Sequence, residues 1–302
     1  MARRLLVIAA ALTAACASAR GGTAPSPAPG ATPAPASAVA EAPAAAGAAT
    51  PAALRADVIR YGPSALRYVI HRRLHIQQAL GGQEQGQDLG ARIYVSAAIA
   101  GPADSVGYPA TFTVDSVVPD SGTPQPVAAT VSRARRLVFS GRLTARGEFV
   151  NAVASDSALA QSVVQLLASF RDFLPRVPAE GLTLGAAWTD TLETTQKGAG
   201  AEVSRRAIVR ATAGAWSEYA GTRSLRLEAS STYQVAGAGT NAGQPFELSG
   251  SGSATAVSFI AADGRYMGGE SRDSTTLTVR LPVQGVAIPV IQVTHTTVAV
   301  QP

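Results

Sequence analysis

The sequence predicts a mainly β protein: a large curved antiparallel sheet or half-barrel, with one amphipathic helix at about 156–174 packed on it. Three observations predict it. Apolar and polar residues alternate with period two over long stretches, turn-forming residues separate those stretches, and only one segment carries the three-and-four spacing of a helix.

The alternation is clearest at 223–235. There Leu225, Leu227, Ala229, Tyr233 and Val235 share one face, while Ser224, Arg226, Glu228, Ser230, Thr232 and Gln234 share the other. A strand with one dry and one wet face belongs in an antiparallel sheet. Strands of the same kind read at 67–79, 91–100, 110–118, 142–153, 188–196, 203–212, 246–261, 265–281 and 286–300. Several exceed ten residues, which favours a curved sheet over a compact sandwich. Asp263-Gly264 predicts a two-residue type I′ hairpin, because that turn needs positive φ at both central positions. Gly268-Gly269 predicts a bulge in the returning strand.

The helix rests on Leu159, Val163, Leu166, Leu167, Phe170 and Leu174, spaced by three or four, with Ser155 as N-cap and Pro175 as stop. It divides the strands into two groups. No motif recurs at a fixed period, so residues 54–302 read as a single β-rich domain.

The N-terminus carries a different instruction. Arg3 and Arg4 precede the apolar run Leu5–Ala15, a secretory signal over residues 1–15. The run is too short to span a bilayer, which takes about 20 apolar residues. It ends in Leu12-Thr13-Ala14-Ala15-Cys16, which resembles the lipobox of bacterial lipoproteins and makes Cys16 the expected lipidation site. Thr13 stands where that motif usually has an aliphatic residue; a plain secreted chain, cleaved elsewhere, is the alternative. Residues 16–53 then form an Ala/Pro-rich linker with no large apolar side chains to offset ordering entropy, so a disordered tether is expected.

Composition removes several classes of function. Cys16 is the only cysteine, so no intramolecular disulfide can form and stability must come from a packed core. Removing Arg3 and Arg4 leaves 23 basic against 20 acidic residues. That balance gives no argument for nucleic acid. A transmembrane β-barrel would need aromatic girdles, and only 5% of residues are aromatic.

Chemistry-bearing residues are sparse. His71 and His75 would share a helix face and could hold zinc, but on a strand they stand about 13 Å apart, too far for one ion. His295 reads as a partly buried structural histidine on the face of Ile291 and Val293. The Ser249–Ser253 run is glycine-rich but opens no helix, so it is no phosphate loop; its small residues would let something pack closely on the sheet. Asp115, Glu148, Asp190 and Glu193 show no partner by spacing. Arg133, Arg135, Arg136, Arg142 and Arg146 form a local basic cluster in sequence. No catalytic residue, metal or cofactor is assigned, and no enzyme activity is expected.

Phe173-Leu-Pro-Arg-Val-Pro178 followed by Leu182-Thr-Leu-Gly185-Ala-Ala-Trp188-Thr-Asp190 resembles an element of uncharacterised bacterial cell-envelope lipoproteins, and Gly141–Asn151 looks like the strand and turn before it. Ala186 and Ala145 depart from that pattern. The β-helix-β order is also similar to the half-barrels of periplasmic lipoprotein carriers, which cradle acyl chains. These resemblances imply no functional residues by position.

The expectation is therefore an exported, lipid-anchored cell-envelope protein, outside the cytoplasm, whose partners are the membrane and a lipid-like or protein ligand. Leu225, Leu227, Tyr233 and Val235 are the candidate ligand-binding face. A structural or assembly lipoprotein with a filled core, and a hydrolase with carboxylates not recognisable by spacing, are the alternatives.

Overall fold

The structure, a computed structural model, describes residues 58–80, 82–167, 170–198, 200–241 and 243–301. The signal segment 1–15, Cys16 and the linker to residue 53 lie outside the described residues, as do the side chains of Leu166 and Leu167. The strands are β1 (Ser64–Leu80), β2 (Gln83–Ile99), β3 (Tyr108–Pro119), β4 (Val138–Leu143), β5 (Phe149–Ala154), β6 (Ala187–Gly198), β7 (Ala201–Tyr219), β8 (Thr222–Asn241), β9 (Gln244–Ala261), β10 (Tyr266–Leu281) and β11 (Val286–Gln301). The helices among the described residues are α1 (Gln125–Ser132) and α2 (Ser157–Leu167), and neither is long and apolar enough to cross a membrane.

All eleven strands make one antiparallel sheet in the order β5-β4-β3-β2-β1-β11-β10-β9-β8-β7-β6. From β1 to β5 and from β6 to β11 each strand pairs with the next, and β1 also meets β11, from Arg67 opposite Gln301 to Gln78 opposite Val290. Two meanders, β1–β5 and β6–β11, are thus joined into one curved sheet. Its edges, β5 and β6, do not pair, so the sheet is not closed into a barrel. The chain between them must instead cross the sheet.

Alternation decides which way each strand faces. On β8, Leu225, Leu227, Tyr233 and Val235 are buried while Arg226, Glu228, Ser230, Thr232 and Gln234 are exposed. Register shifts at Tyr94/Val95, Ala213/Trp216 and Tyr266/Gly268 insert extra residues that bend and twist the sheet. The last is the bulge expected from Gly268-Gly269. Gly268 has φ 123°, and a Cβ there would stand 2.3 Å from the Val298 carbonyl oxygen. Only glycine fits.

The inward face carries two apolar clusters at opposite ends of the strands. One joins Tyr68, Ile93, Val95, Phe112, Phe149, Leu225, Leu227 and Ile260 to residues of the crossing segment. The other gathers Leu74, Ile76, Tyr233, Val235, Phe246, Leu248, Leu277 and Val279.

Three local expectations are corrected. Residues 142–153 are not one strand but parts of β4 and β5 around a turn, in which the Gly147 N–H donates to the Thr144 carbonyl at 3.0 Å with φ 85° at Gly147. The 261–265 turn is not type I′, since Asp263 does not take positive φ. The Gly264 N–H donates to the Ala261 carbonyl at 2.9 Å and Gly264 has φ 86°, the three-residue loop that ends in a left-handed glycine. The helix of 156–174 ends as α-helix at Leu167, and a 3₁₀ turn follows at Phe170–Asp172. Its cap is Asp156, whose Oδ1 accepts the Leu159 N–H at 2.9 Å, while Ser155 Oγ accepts the Val138 N–H at 3.1 Å. Phe170 and Leu174 still face the interior, which is why the spacing ran on beyond the α-helix. Helix α1 was not legible: it follows Pro124 and buries only Val131.

Candidate functional site

The site is a cavity of about 410 Å³ on the inward face, between the two apolar clusters. Register explains why space is left there. One row across the sheet reads Arg72, Thr296, Ser271, Ala256, Ala229, Ala211 and Trp188 on β1, β11, β10, β9, β8, β7 and β6. The adjacent row reads Leu74, Thr294, Asp273, Ala254, Ser231, Val209 and Asp190. Small side chains fill the middle of both rows. Large ones return on either side, so apolar packing closes both ends and leaves a hollow over Ala229, Ala254 and Ala256.

The cover is the crossing segment, residues 170–176, which lines the cavity opposite the sheet. Aromatic rings pin it. Phe170 stacks on Phe112 with centroids 4.9 Å apart, and Phe173 meets Tyr68, Phe112 and Tyr266 edge-on at 5.0, 5.4 and 5.7 Å. The Tyr61 hydroxyl donates to the Pro175 carbonyl at 2.6 Å, and the Val177 N–H to the Arg146 carbonyl at 3.0 Å. Ion pairs of Arg176 with Glu148 and of Arg146 with Asp190 tie the segment and the β4–β5 turn to the β6 side.

A polar cluster lies beside the floor. Tyr233 donates to Asp273, Thr275 Oγ1 stands in hydrogen-bond contact with the same hydroxyl, and Thr275 donates to Asp273 at 3.1 Å. The Arg205 guanidinium lies 3.7 Å over the Tyr233 ring and 3.6 Å from Asp273. Burial first, then the Asp273 charge, raises the Tyr233 pKa, so the phenol stays protonated and serves as donor. Gly252 makes this cluster possible: a Cβ there would stand 2.3 Å from Tyr233 Cζ. The small residues of β9 admit a tyrosine ring, the close approach their sequence foretold.

Of the four residues singled out from sequence, only Leu227 lines the cavity. Leu225 is wholly buried in the first cluster, and Tyr233 and Val235 belong to the second. The cover comes from residues after α2 rather than from its described side chains. Arg205, Asp273 and the crossing segment were missed, because cross-strand register, not local sequence, brings them together. The alternate small residues at Gly252, Ala254 and Ala256 were the available signal.

The other candidates disperse. His71 Nε2 lies 2.9 Å from Asp120 and His75 Nδ1 lies 2.8 Å from Asp88, two separate pairs on the outward face of β1. His295, half-buried, sits opposite Arg73 and Arg272 on the same face. The carboxylates that lacked partners have them: Asp115 accepts from Ser96 at 2.7 Å, Glu193 pairs with Arg206 at 3.2 Å, and Glu148 and Asp190 pair as above. The basic cluster is not a patch. Arg133, Arg135 and Arg136 are exposed after α1, while Arg142 pairs with Asp104 at 2.8 Å and Arg146 with Asp190. Among the described residues no group of three or more His, Cys, Asp or Glu could hold a metal ion.

No family model matches the chain, and no curated protein matches it. Among solved structures it is similar to OccK2 (OpdF) of Pseudomonas aeruginosa, at 9% identity and a TM-score of 0.25, over 79% of this chain and 98% of that one. It is also similar to OccAB4 of Acinetobacter baumannii, at 11% identity and a TM-score of 0.16, over 78% and 98%. Likenesses of that size carry no argument about fold or function.

Proposed function

We propose that this chain is an exported cell-envelope protein, anchored through Cys16, that binds an amphipathic ligand on the inward face of its sheet and catalyses no reaction. The observation that carries the reading is the 410 Å³ cavity, with a floor of small side chains, apolar ends and a polar wall. Its volume falls within the range of about 300–1,000 Å³ usual for small-molecule sites. A purely structural lipoprotein would gain by filling that space, because interiors pack close to crystal density. The outward face supports an aqueous setting: on β8 it presents Arg226, Glu228, Ser230, Thr232 and Gln234. The signal segment followed by a cysteine and a long Ala/Pro-rich linker supports tethering at a membrane surface.

The test is a titration of the Cys16→Ser chain, purified without detergent, with a fluorescent acyl probe. Saturable binding is expected, and it should be lost in Ala229→Phe, which projects a ring into the cavity, and in Leu227→Arg, with circular dichroism unchanged. Absence of saturable binding to the folded parent chain would turn the reading to a structural role.

A further inference from the structure

We infer that the ligand is an uncharged single-chain amphiphile, a long-chain alcohol or glycerol ester, and that the cavity discriminates against ionised heads because its own charges are already paired. The inference rests on the reading of the cavity as a ligand site and adds the chemistry of the occupant.

Each charged side chain around the cavity is answered from within the fold. Arg205 lies 3.6 Å from Asp273, and Arg176 pairs with Glu148 and, at 3.3 Å, with Asp172. Asp190 is paired with Arg146, and Arg72 and Arg171 are engaged as well. Glu270 is exposed to water, where its charge stays hydrated. An ionised head entering this space would give up its own hydration and find no counter-charge left over. An anion could hold Arg205 only by drawing it from Asp273, which would leave that carboxylate without its cation. Taking a charge out of water without a partner is costly for either sign. A neutral head escapes that cost.

One end of the cavity still calls for a polar group. Arg205 Nε is a buried donor with no hydrogen-bond partner, and a hydroxyl or ester oxygen can accept from it without bringing charge. Ser271 and Thr296, opposite each other on β10 and β11, and Ser231 on β8 add hydroxyls to the lining. The other end is apolar: the floor runs over Ala254, Ala229 and Ala256 towards Leu227 and Trp188. At 410 Å³ the space lies near the small end of the usual range, which suits one chain rather than a multi-chain lipid.

The experiment follows tryptophan fluorescence of the Cys16→Ser chain at about pH 8, where a carboxylate is ionised. Trp188, in the cavity wall, is the reporter. The probes are dodecanol, dodecanoyl glycerol, dodecanoate and dodecyltrimethylammonium, each below its micelle or solubility limit. Dodecanol and dodecanoyl glycerol should bind saturably, and both ions should bind with affinities lower by about tenfold or more, the cost of a head stripped of water without a partner. Asp273→Asn frees the Arg205 charge while its amide oxygen can still accept from Tyr233, so the ratio of dodecanoate to dodecanol affinity should rise by about tenfold. Dodecanoate or dodecyltrimethylammonium binding as tightly as dodecanol to the parent chain would overturn the uncharged head and leave the amphiphile reading intact. A folded Asp273→Asn chain with an unchanged ratio would overturn the pairing of Arg205 as the source of the discrimination. No saturable binding by any probe to the folded parent chain would overturn both readings. Should Asp273→Asn fail to fold, the head-group ranking in the parent chain still decides.

Discussion

Truncating Phe112 to alanine removes the ring around which the crossing segment is built. Phe112 is 1% exposed and meets Phe149, Phe170 and Phe173 with centroids 4.9, 4.9 and 5.4 Å away. Deleting a buried Phe side chain costs about 3–5 kcal/mol through lost transfer energy and the cavity left behind. The aromatic pairs place this site towards the upper part of that range, since such pairs add to area burial. Domains are stable by about 5–15 kcal/mol in total, so the loss is a large share. Urea unfolding followed by circular dichroism reads it directly. With a slope of about 3 kcal/mol/M, the midpoint should fall by about 1 M or more at an unchanged slope, while Val153→Ala, at a position 68% exposed, should stay within about 0.5 kcal/mol of the parent. A loss under 1 kcal/mol for Phe112→Ala would refute the claim that these rings hold the cover on the sheet.

Gly252→Ala should destabilise the fold by about 1–3 kcal/mol, because the new Cβ overlaps the Tyr233 ring; an unchanged thermal midpoint would contradict this. Tyr61, Tyr68 and Tyr266 have pKa values raised chiefly by burial. A folded pKa above the unfolded value gives stability that is complete below about pH 10 and is lost as pH rises through the raised values. Alkaline titration should therefore show phenolate absorbance from these residues appearing together with loss of circular dichroism, and their ionisation near pH 10 in a folded chain would count against the burial. Cys16→Ser should move the protein from the membrane to the soluble fraction and remove acyl mass from the N-terminal peptide. Identical partitioning of the two forms, with no acyl mass on the parent, would defeat the anchor; a second acyl chain is expected, since one alone binds only weakly.

Strand positions were legible because alternation and burial agree along each long strand: β8 and β11 follow the sequence reading closely, since each has one wet and one dry face. Short elements were less so. The residues of β4 and β5 read as one strand because the turn between them is marked only by Gly147, whose positive φ is a property of the fold. Helix α1, with Val131 as its one buried residue, presents almost no apolar stripe to read. The site was legible in half. Leu227 and the small residues of β9 lie on the face the alternation assigns, but the meeting of Arg205 with Tyr233 and Asp273 depends on pairing strands 28 and 40 positions away along the chain, which no local pattern encodes.

Native mass spectrometry of the detergent-free Cys16→Ser chain, mixed with dodecanol and then exchanged into volatile buffer, tests the central claim most directly. The expected result is one retained ligand per chain, absent from Ala229→Phe of equal folded content. A folded parent chain that retains no ligand, or that retains as much as Ala229→Phe, would contradict the claim that the inward cavity is a binding site.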